Sequence, residues 1–290
     1  MHRSGLAMLL VSSALFIIVI RKDLDRMMFA TKEKHPVLKV KPSEPTHQPA
    51  PPQVKHTKQT LFSNITLAVN AHTQWTAFLN TSINTLNRSA NSNQLAALGP
   101  MGPTCTQLET YGTGDGEKRA CGLSAAPNCT IVSLGNNNEW GFEEAVYDKL
   151  NCIVETFDCT VNAQVPTRIA SRTRFHQICV ADTDQVDAAG RVFRSWSSIM
   201  RLINARKSPD YLKMDVEGFE YATLTAMLTS GVLMPRQIAF ELHVDHSKTL
   251  LDIALFMESL YTKGGYFYID QRPNPWCAEC TELLISRVDP

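Results

Sequence analysis

The 290 residues, 44% of them hydrophobic, suffice for one domain with a substantial core plus appendages. Because 28 basic side chains cancel 28 acidic ones, the totals carry no nucleic-acid footprint, and no nucleic-acid partner is expected. The eight cysteines are an even set, as expected where disulfides form. Their pairing cannot be read from sequence.

Residues 6–20 form an uninterrupted apolar or small run, with Arg3 before it and Arg21, Lys22 and Arg26 after it. The run lies between a signal-peptide core and a comfortable membrane helix in length, and the flanking Arg and Lys can snorkel. Val19-Ile-Arg-Lys22 offers none of the small residues that cleavage requires. Residues 1–26 therefore read as an uncleaved signal anchor, with secretion after cleavage as the alternative. Positive charge is greater after the span than before it, and that rule alone would leave the bulk of the chain in the cytosol. Sequons at Asn64, Asn80, Asn87 and Asn128, together with the even cysteine count, argue for the lumen. The expectation is a single-pass type II protein of the endoplasmic reticulum or Golgi.

Residues 27–60 show no periodicity, and six of the fifteen prolines fall between Pro36 and Pro52, as in an extended disordered stem. Residues 61–100 place Ile65, Val69, His72, Thr76, Leu79, Ile83 and Leu86 at alternating spacings of four and three. Two readings arise: a homodimer through residues 65–86, or one amphipathic helix lying on the domain. Asn80 and Asn87, where glycans would obstruct a partner, favour the second.

Residues 101–290 read as the globular domain. After a glycine-bearing loop at 112–116, residues 130–134 form a strand ending at Gly135, and Phe142, Ala145, Val146 and Leu150 stripe a helix. Residues 152–157 form a second strand ending on Asp158, and 175–181 a third ending on Asp182. Trp196, Ile199, Met200 and Ile203 mark a helix. Residues 211–214 are a buried strand that runs into Asp215, Glu217 and Glu220, and Gly218 allows a tight turn. Tyr221, Leu224, Met227 and Leu228 then stripe a helix stopped by Gly231. Residues 237–243 are a further strand, and Leu250 to Leu260 a helix closed by Gly264-Gly265. Residues 266–269 and 283–288 end the chain as two strands without a helix between them. Alternating strands and helices predict a doubly wound α/β sheet, and the final pair predicts an antiparallel edge.

In such sheets, ligands bind beyond the carboxyl ends of the strands. A glycine turn at Gly135 lets backbone approach a ligand, and a carboxylate at Asp158 can accept both hydrogen bonds of a ribose diol. Asp215, Glu217 and His243 share adjacent strand ends, where a base for proton removal belongs. A metal at His243-Val-Asp-His246 has no fixed geometry in the sequence, and no metal is expected. Cys277-Ala-Glu-Cys280 lacks the second pair that zinc requires, and in the lumen it would join disulfides.

The stretches Ile131-Val-Ser-Leu-Gly-Asn-Asn-Asn-Glu-Trp-Gly-Phe-Glu-Glu-Ala145, Glu155-Thr-Phe-Asp158, Leu212-Lys-Met-Asp-Val-Glu-Gly-Phe-Glu220 and Ile238-Ala-Phe-Glu-Leu-His243 occur in this order. Together they resemble the methyltransferase-like protein 24 group, a relative of the FkbM-type methyltransferases, over residues 105–288. The resemblance implies a Rossmann-like class I fold of about seven strands, the last antiparallel, that binds S-adenosylmethionine. It places Gly135, Asn136 and Asn137 against the methionine part, Asp158 at the ribose, Asp182 at the adenine edge and Asp215 at the reaction centre. The loop Gly135-Asn-Asn-Asn-Glu-Trp-Gly141 departs from the acidic, glycine-repeated pattern of methyltransferases at large. The expected function is a secretory-pathway methyltransferase acting on an unidentified acceptor, a glycan or small metabolite. One alternative is a lumenal binding protein that kept the fold and lost the chemistry. The other is a type II glycosyltransferase using Asp182-Thr-Asp184.

Overall fold

In a computed structural model, the residues described are 61–81, 86, 97–124, 128–244, 247–277 and 279–288. The expected anchor (1–26), the proline-rich stem (27–60), the sequon at Asn87 and His246 lie outside them. No helix among the described residues is long and apolar enough to cross a membrane.

The elements run β1 (Phe62–Ser63), α1 (Ile65–Thr81), β2 (Thr104–Cys105), β3 (Leu108–Tyr111), β4 (Lys118–Cys121), β5 (Thr130–Leu134), α2 (Gly141–Lys149), β6 (Ile153–Phe157) and β7 (Thr173–His176). They continue as β8 (Cys179–Val180), β9 (Gln185–Val186), β10 (Val192–Arg194), α3 (Trp196–Leu202), β11 (Tyr211–Met214), α4 (Glu220–Ser230), β12 (Gln237–His243), α5 (Leu250–Gly264), β13 (Tyr266–Pro273) and β14 (Cys280–Arg287).

Seven strands make the main sheet, in the order β13-β14-β12-β11-β5-β6-β7. Period-2 alternation explains its two layers. Val132, Leu134, Leu212, Met214, Ile238 and Phe240 point to the face covered by α3, α4 and α5. Ile131, Tyr211 and Ala239 point to the other, covered by α2 and the β3–β4 hairpin. β11 is buried at all four positions, as a central parallel strand must be. The chain leaves β5 toward β6 and β7, then returns to β11 on the other side of β5. This reversal opens a crevice between β5 and β11.

One strand expectation changes. The apolar run 175–181 is split: β7 starts at Thr173 and stays in the main sheet, whereas β8 pairs with β10 in a separate three-stranded sheet. Cys179 is tied to Cys159 by a disulfide, so the run changes neighbours midway, which an unbroken apolar pattern cannot reveal. The final pair does form an antiparallel edge. β14 inserts between β12 and β13, antiparallel to both, and β13 forms the rim. Burial gives the reason: β14 is buried at seven of its eight positions, while β13 is exposed toward its end.

Helix α1 lies against α5 and β13 of its own chain. The His72 ring stacks on Tyr261 at 4.1 Å and meets the edge of Phe267 at 5.4 Å, and the Thr76 hydroxyl donates to Glu258. Burial pushes the His72 imidazole down to about 4, so it packs there neutral. His72 and Leu79 of the heptad seam are thereby used within the chain, and Val69 is 39% exposed. The described part of the seam is thus partly occupied within the chain. Four disulfides, Cys105–Cys121, Cys129–Cys152, Cys159–Cys179 and Cys277–Cys280, account for all eight cysteines.

Candidate active site

A cavity of about 390 Å³ lies at the carboxyl ends of β5, β6, β11 and β12, within the usual range of small-molecule sites. Its wall includes Gly135, Asn136, Asn137, Asp158, Asp215 and Glu217 from the residues expected by sequence. Asp182 is absent from the wall and solvent-exposed. The wall near it is apolar, made by Phe157, Val180, Phe193 and Phe219, and the rings of Phe193 and Phe219 stack at 5.9 Å. Asp184, the other half of the acidic pair, accepts from the Ser195 N–H and from the Ser195 and Ser198 hydroxyls at the start of α3. It serves as a cap, which removes the structural basis for a metal-holding pair.

Gly135 adopts φ +77°, and a Cβ there would come within 1.6 Å of the Asp215 carbonyl oxygen. Only glycine lets the two strand-end loops touch. Beyond it, Asp158 organises the asparagine loop. Its Oδ2 accepts the Asn136 and Asn137 N–H groups at 3.0 and 2.8 Å. Its Oδ1 accepts the Thr160 N–H at 2.8 Å and hydroxyl at 2.6 Å. Burial opposes its charge, but the Thr160, Asn137 and Asn136 bonds outweigh burial and hold the carboxyl below the usual range. The four lone-pair positions of a carboxylate are thus filled from within the chain. Asp158 sits at the expected strand end but is committed to the loop, not left open to a diol.

Asp215 follows β11, and a buried lysine stands on each side of it. Lys213 donates to the Gly135 carbonyl, and Lys118 lies 3.4 Å from Asp215 Oδ2 and 2.5 Å from Glu282. Burial disfavours the Asp215 charge, but Lys213 and then Lys118 outweigh it and hold the carboxyl down. Burial alone would likewise discharge Lys118, and Glu282 and Asp215 keep it protonated. Lys118 arrives on the β3–β4 hairpin, which the buried Gln237 clamps through both backbone groups of Cys121, and Tyr211 through the Arg119 carbonyl.

Beside Asp215, Glu241 is buried in mid-β12 and accepts from Asn274 at 2.5 Å. Burial, then the Asp215 charge, push its carboxyl up to about 7. His243, two residues on and on the same strand face, bonds Glu220 at 2.9 Å and faces Glu217 at 3.3 Å. Burial opposes its charge, but Glu220, Glu241 and Glu217 overcome that and raise the imidazole to about 9. At neutral pH, His243 is therefore a donor and cannot accept a proton. Glu217 holds φ +53° with its side chain 86% exposed, a strained residue at the cavity mouth. Ligand atoms of Asp215, Glu217 and His243 lie within 4.8 Å of one another, with Glu217 exposed.

A family model described as a methyltransferase domain matches residues 70–285, about three quarters of the sequence. The chain belongs to this methyltransferase-domain family. No curated protein matches it. Among solved structures, it is similar to the FkbM methyltransferase of Methylobacillus flagellatus KT, at 16% identity and TM-score 0.41, over 56% of this chain and 44% of that one. It is also similar to a fibrillarin pre-rRNA processing protein of Methanococcus jannaschii, at 12% identity and TM-score 0.37, over 69% and 77%. The chain spans less than half the length of the FkbM protein.

Within the methyltransferase-domain fold, several residues go beyond the sequence expectation: Lys118, Lys213, Glu241, Asn274 and Glu282. Glu241 had a signal. It is an acid in the middle of an otherwise apolar strand, where only a partnered or functional charge belongs. Lys118 had none, since its segment reads as a loop until the hairpin folds over the sheet.

Proposed function

We propose that this chain is an S-adenosylmethionine-dependent methyltransferase acting on a hydroxyl acceptor in the lumen of the secretory pathway. The carrying observation is the crevice wall, where six carboxyl side chains, Asp115, Glu139, Asp158, Asp215, Glu217 and Glu241, face two bases, Arg191 and Lys213. That wall suits a cationic cofactor. Asn136 Oδ1 is a buried acceptor with no partner on the cavity wall, fit for an ammonium donor. Beyond Glu139 of the asparagine loop, the acids come from other strand ends and from the turn of the β3–β4 hairpin. S-adenosylmethionine, when bound, supplies a methyl group activated by a sulfonium. Asn136 and Asn137 would hold its amino-acid end, and the slot of Phe157, Val180 and Phe193 would receive its purine.

Glu241 is the base in this reading, because burial and the Asp215 charge bring its carboxyl up to about 7, where it can exchange a proton near neutral pH. Asp215, kept ionised by Lys213 and Lys118, favours positive charge in the crevice and orients the acceptor. His243, fixed by Glu220, holds Glu217 at the mouth. Lumenal placement draws support from the four disulfides and from Asn64, Asn80 and Asn128, all exposed. The type II anchor at residues 1–26 belongs to the same proposal.

Calorimetric titration of the full chain with S-adenosylmethionine tests the cofactor, and saturable one-site binding is expected. Absence of binding would overturn the reading. Binding without methyl transfer to any acceptor in secretory-pathway extracts would favour the inactive binding protein. A mobility gain on enzymatic deglycosylation tests the lumen.

A further inference from the structure

We propose that a second cavity, walled by Trp276 and Asn274, is the acceptor site, and that it takes a neutral polyhydroxylated ring, a saccharide. The proposal rests on the methyltransferase reading above and names its acceptor class. This cavity, of about 400 Å³, is lined by Asp115, Glu117, Arg272, Asn274, Trp276 and Glu282, among others. Asp115 also lines the first cavity, so the two share a wall. Asn274 joins them chemically. Its Nδ2 donates to Asp115 at 2.8 Å and to Glu241 at 2.5 Å. A ligand held against Asn274 therefore lies one hydrogen bond from the group assigned as base.

Charge selects the ligand class. Glu117 pairs with Arg272, and Glu282 pairs with Lys118 at 2.5 Å, so two of the three carboxyls already have cations. What remains for a ligand is a set of acceptor oxygens, with Asp115 held by the Asn274 amide rather than by a cation. Such acceptors suit a ligand that presents several hydroxyl donors.

Trp276 supplies the apolar half of the recognition. It is 72% exposed, and its ring stacks on no other ring among the described residues. Its backbone N–H donates to Asn274 Oδ1 at 2.7 Å, and the adjacent Cys277–Cys280 disulfide closes the loop that carries it. With its backbone held by Asn274, the exposed indole stands at the cavity lip, open to a ligand. Its electron-rich face fits the row of C–H groups on one side of a sugar ring, while the equatorial hydroxyls reach the polar wall.

The test titrates the full chain with methyl β-galactoside and N-acetylglucosamine, and with cyclohexylamine as an amine of similar size, by saturation-transfer NMR. S-adenosylmethionine affinity is measured in parallel. Saccharide binding should weaken about tenfold or more in Trp276→Ala and only a few-fold in Trp276→Phe, with cofactor affinity and melting temperature unchanged. Preference for the amine, saccharide binding indifferent to Trp276, or no saccharide binding by a chain that does bind the cofactor would each overturn the proposal. Saccharide binding by a chain that binds no cofactor would overturn the acceptor role and, separately, the methyltransferase reading.

Discussion

Gly135 lies directly against the carbonyl of Asp215, so close that a Cβ would come within 1.6 Å of that oxygen. The end of β5 and the end of β11 are thereby locked together at the point where the strand order reverses. Gly135→Ala must force these loops apart and also place alanine at φ +77°. We expect destabilisation of about 3 kcal/mol or more and loss of cofactor binding in whatever folds. Denaturant melts and calorimetry check this; a loss under about 1 kcal/mol would contradict the contact.

Asp158 fixes the asparagine loop through four hydrogen bonds, and Asp158→Asn puts an amide donor against backbone or hydroxyl donors. Cofactor affinity should fall about tenfold together with a drop in melting temperature, because lost charge-assisted bonds are each worth about 1.5–3 kcal/mol. A weakened affinity with an unchanged melt would show instead that Asp158 grips the ribose directly.

Glu241 gives activity a pH signature. Ionised, it can take the acceptor's proton, so turnover should rise as pH rises through about 7. Glu241→Gln should lose roughly 10²-fold in kcat and the acid limb with it. Because the Asp215 charge helps hold Glu241 up, Asp215→Asn should move that limb to lower pH as well as slow turnover. An acid limb unaffected by Asp215→Asn would remove Glu241 from the role.

His243 predicts a stability change with pH of opposite direction to that of an acid held below its usual range, such as Asp215. Its folded value of about 9 lies above the unfolded 6.5, so its contribution is full below about 6.5 and is lost as pH rises through about 9. Allowing for solvent screening, the loss is roughly 2 kcal/mol. Melting temperature should therefore decline between these values, and His243→Gln should flatten that decline.

Much of this was legible in the sequence, for physical reasons that act locally. Periodicity located β5, β11, β12 and their helices. A strand buried on both faces must be apolar throughout, and a helix with one buried face must carry a stripe. Gly231 and Gly265, both left-handed, ended α4 and α5 where predicted, because that backbone conformation favours glycine. Gly135, Asn136, Asn137, Asp158, Asp215 and Glu217 reached the cavity wall because parallel strands with matched register deliver their ends to one edge.

Tertiary structure decided the rest. Asp182 left the wall because β8 changed sheets after Gln177 and Ile178, and a hydrophobic run does not record which strand it will pair with. Lys118 entered the centre only because a hairpin far away in sequence folds across β12. The proton states followed from that assembly. Asp215 is ionised because Lys213 and Lys118 flank it, Glu241 is poised near neutrality because burial and the Asp215 charge raise it, and His243 is charged because Glu220, Glu241 and Glu217 surround it, charges within a few ångströms setting one another's ionisation. The sequence named Asp215 and His243 but not Glu241, and the distances among the buried charges assigned each its proton.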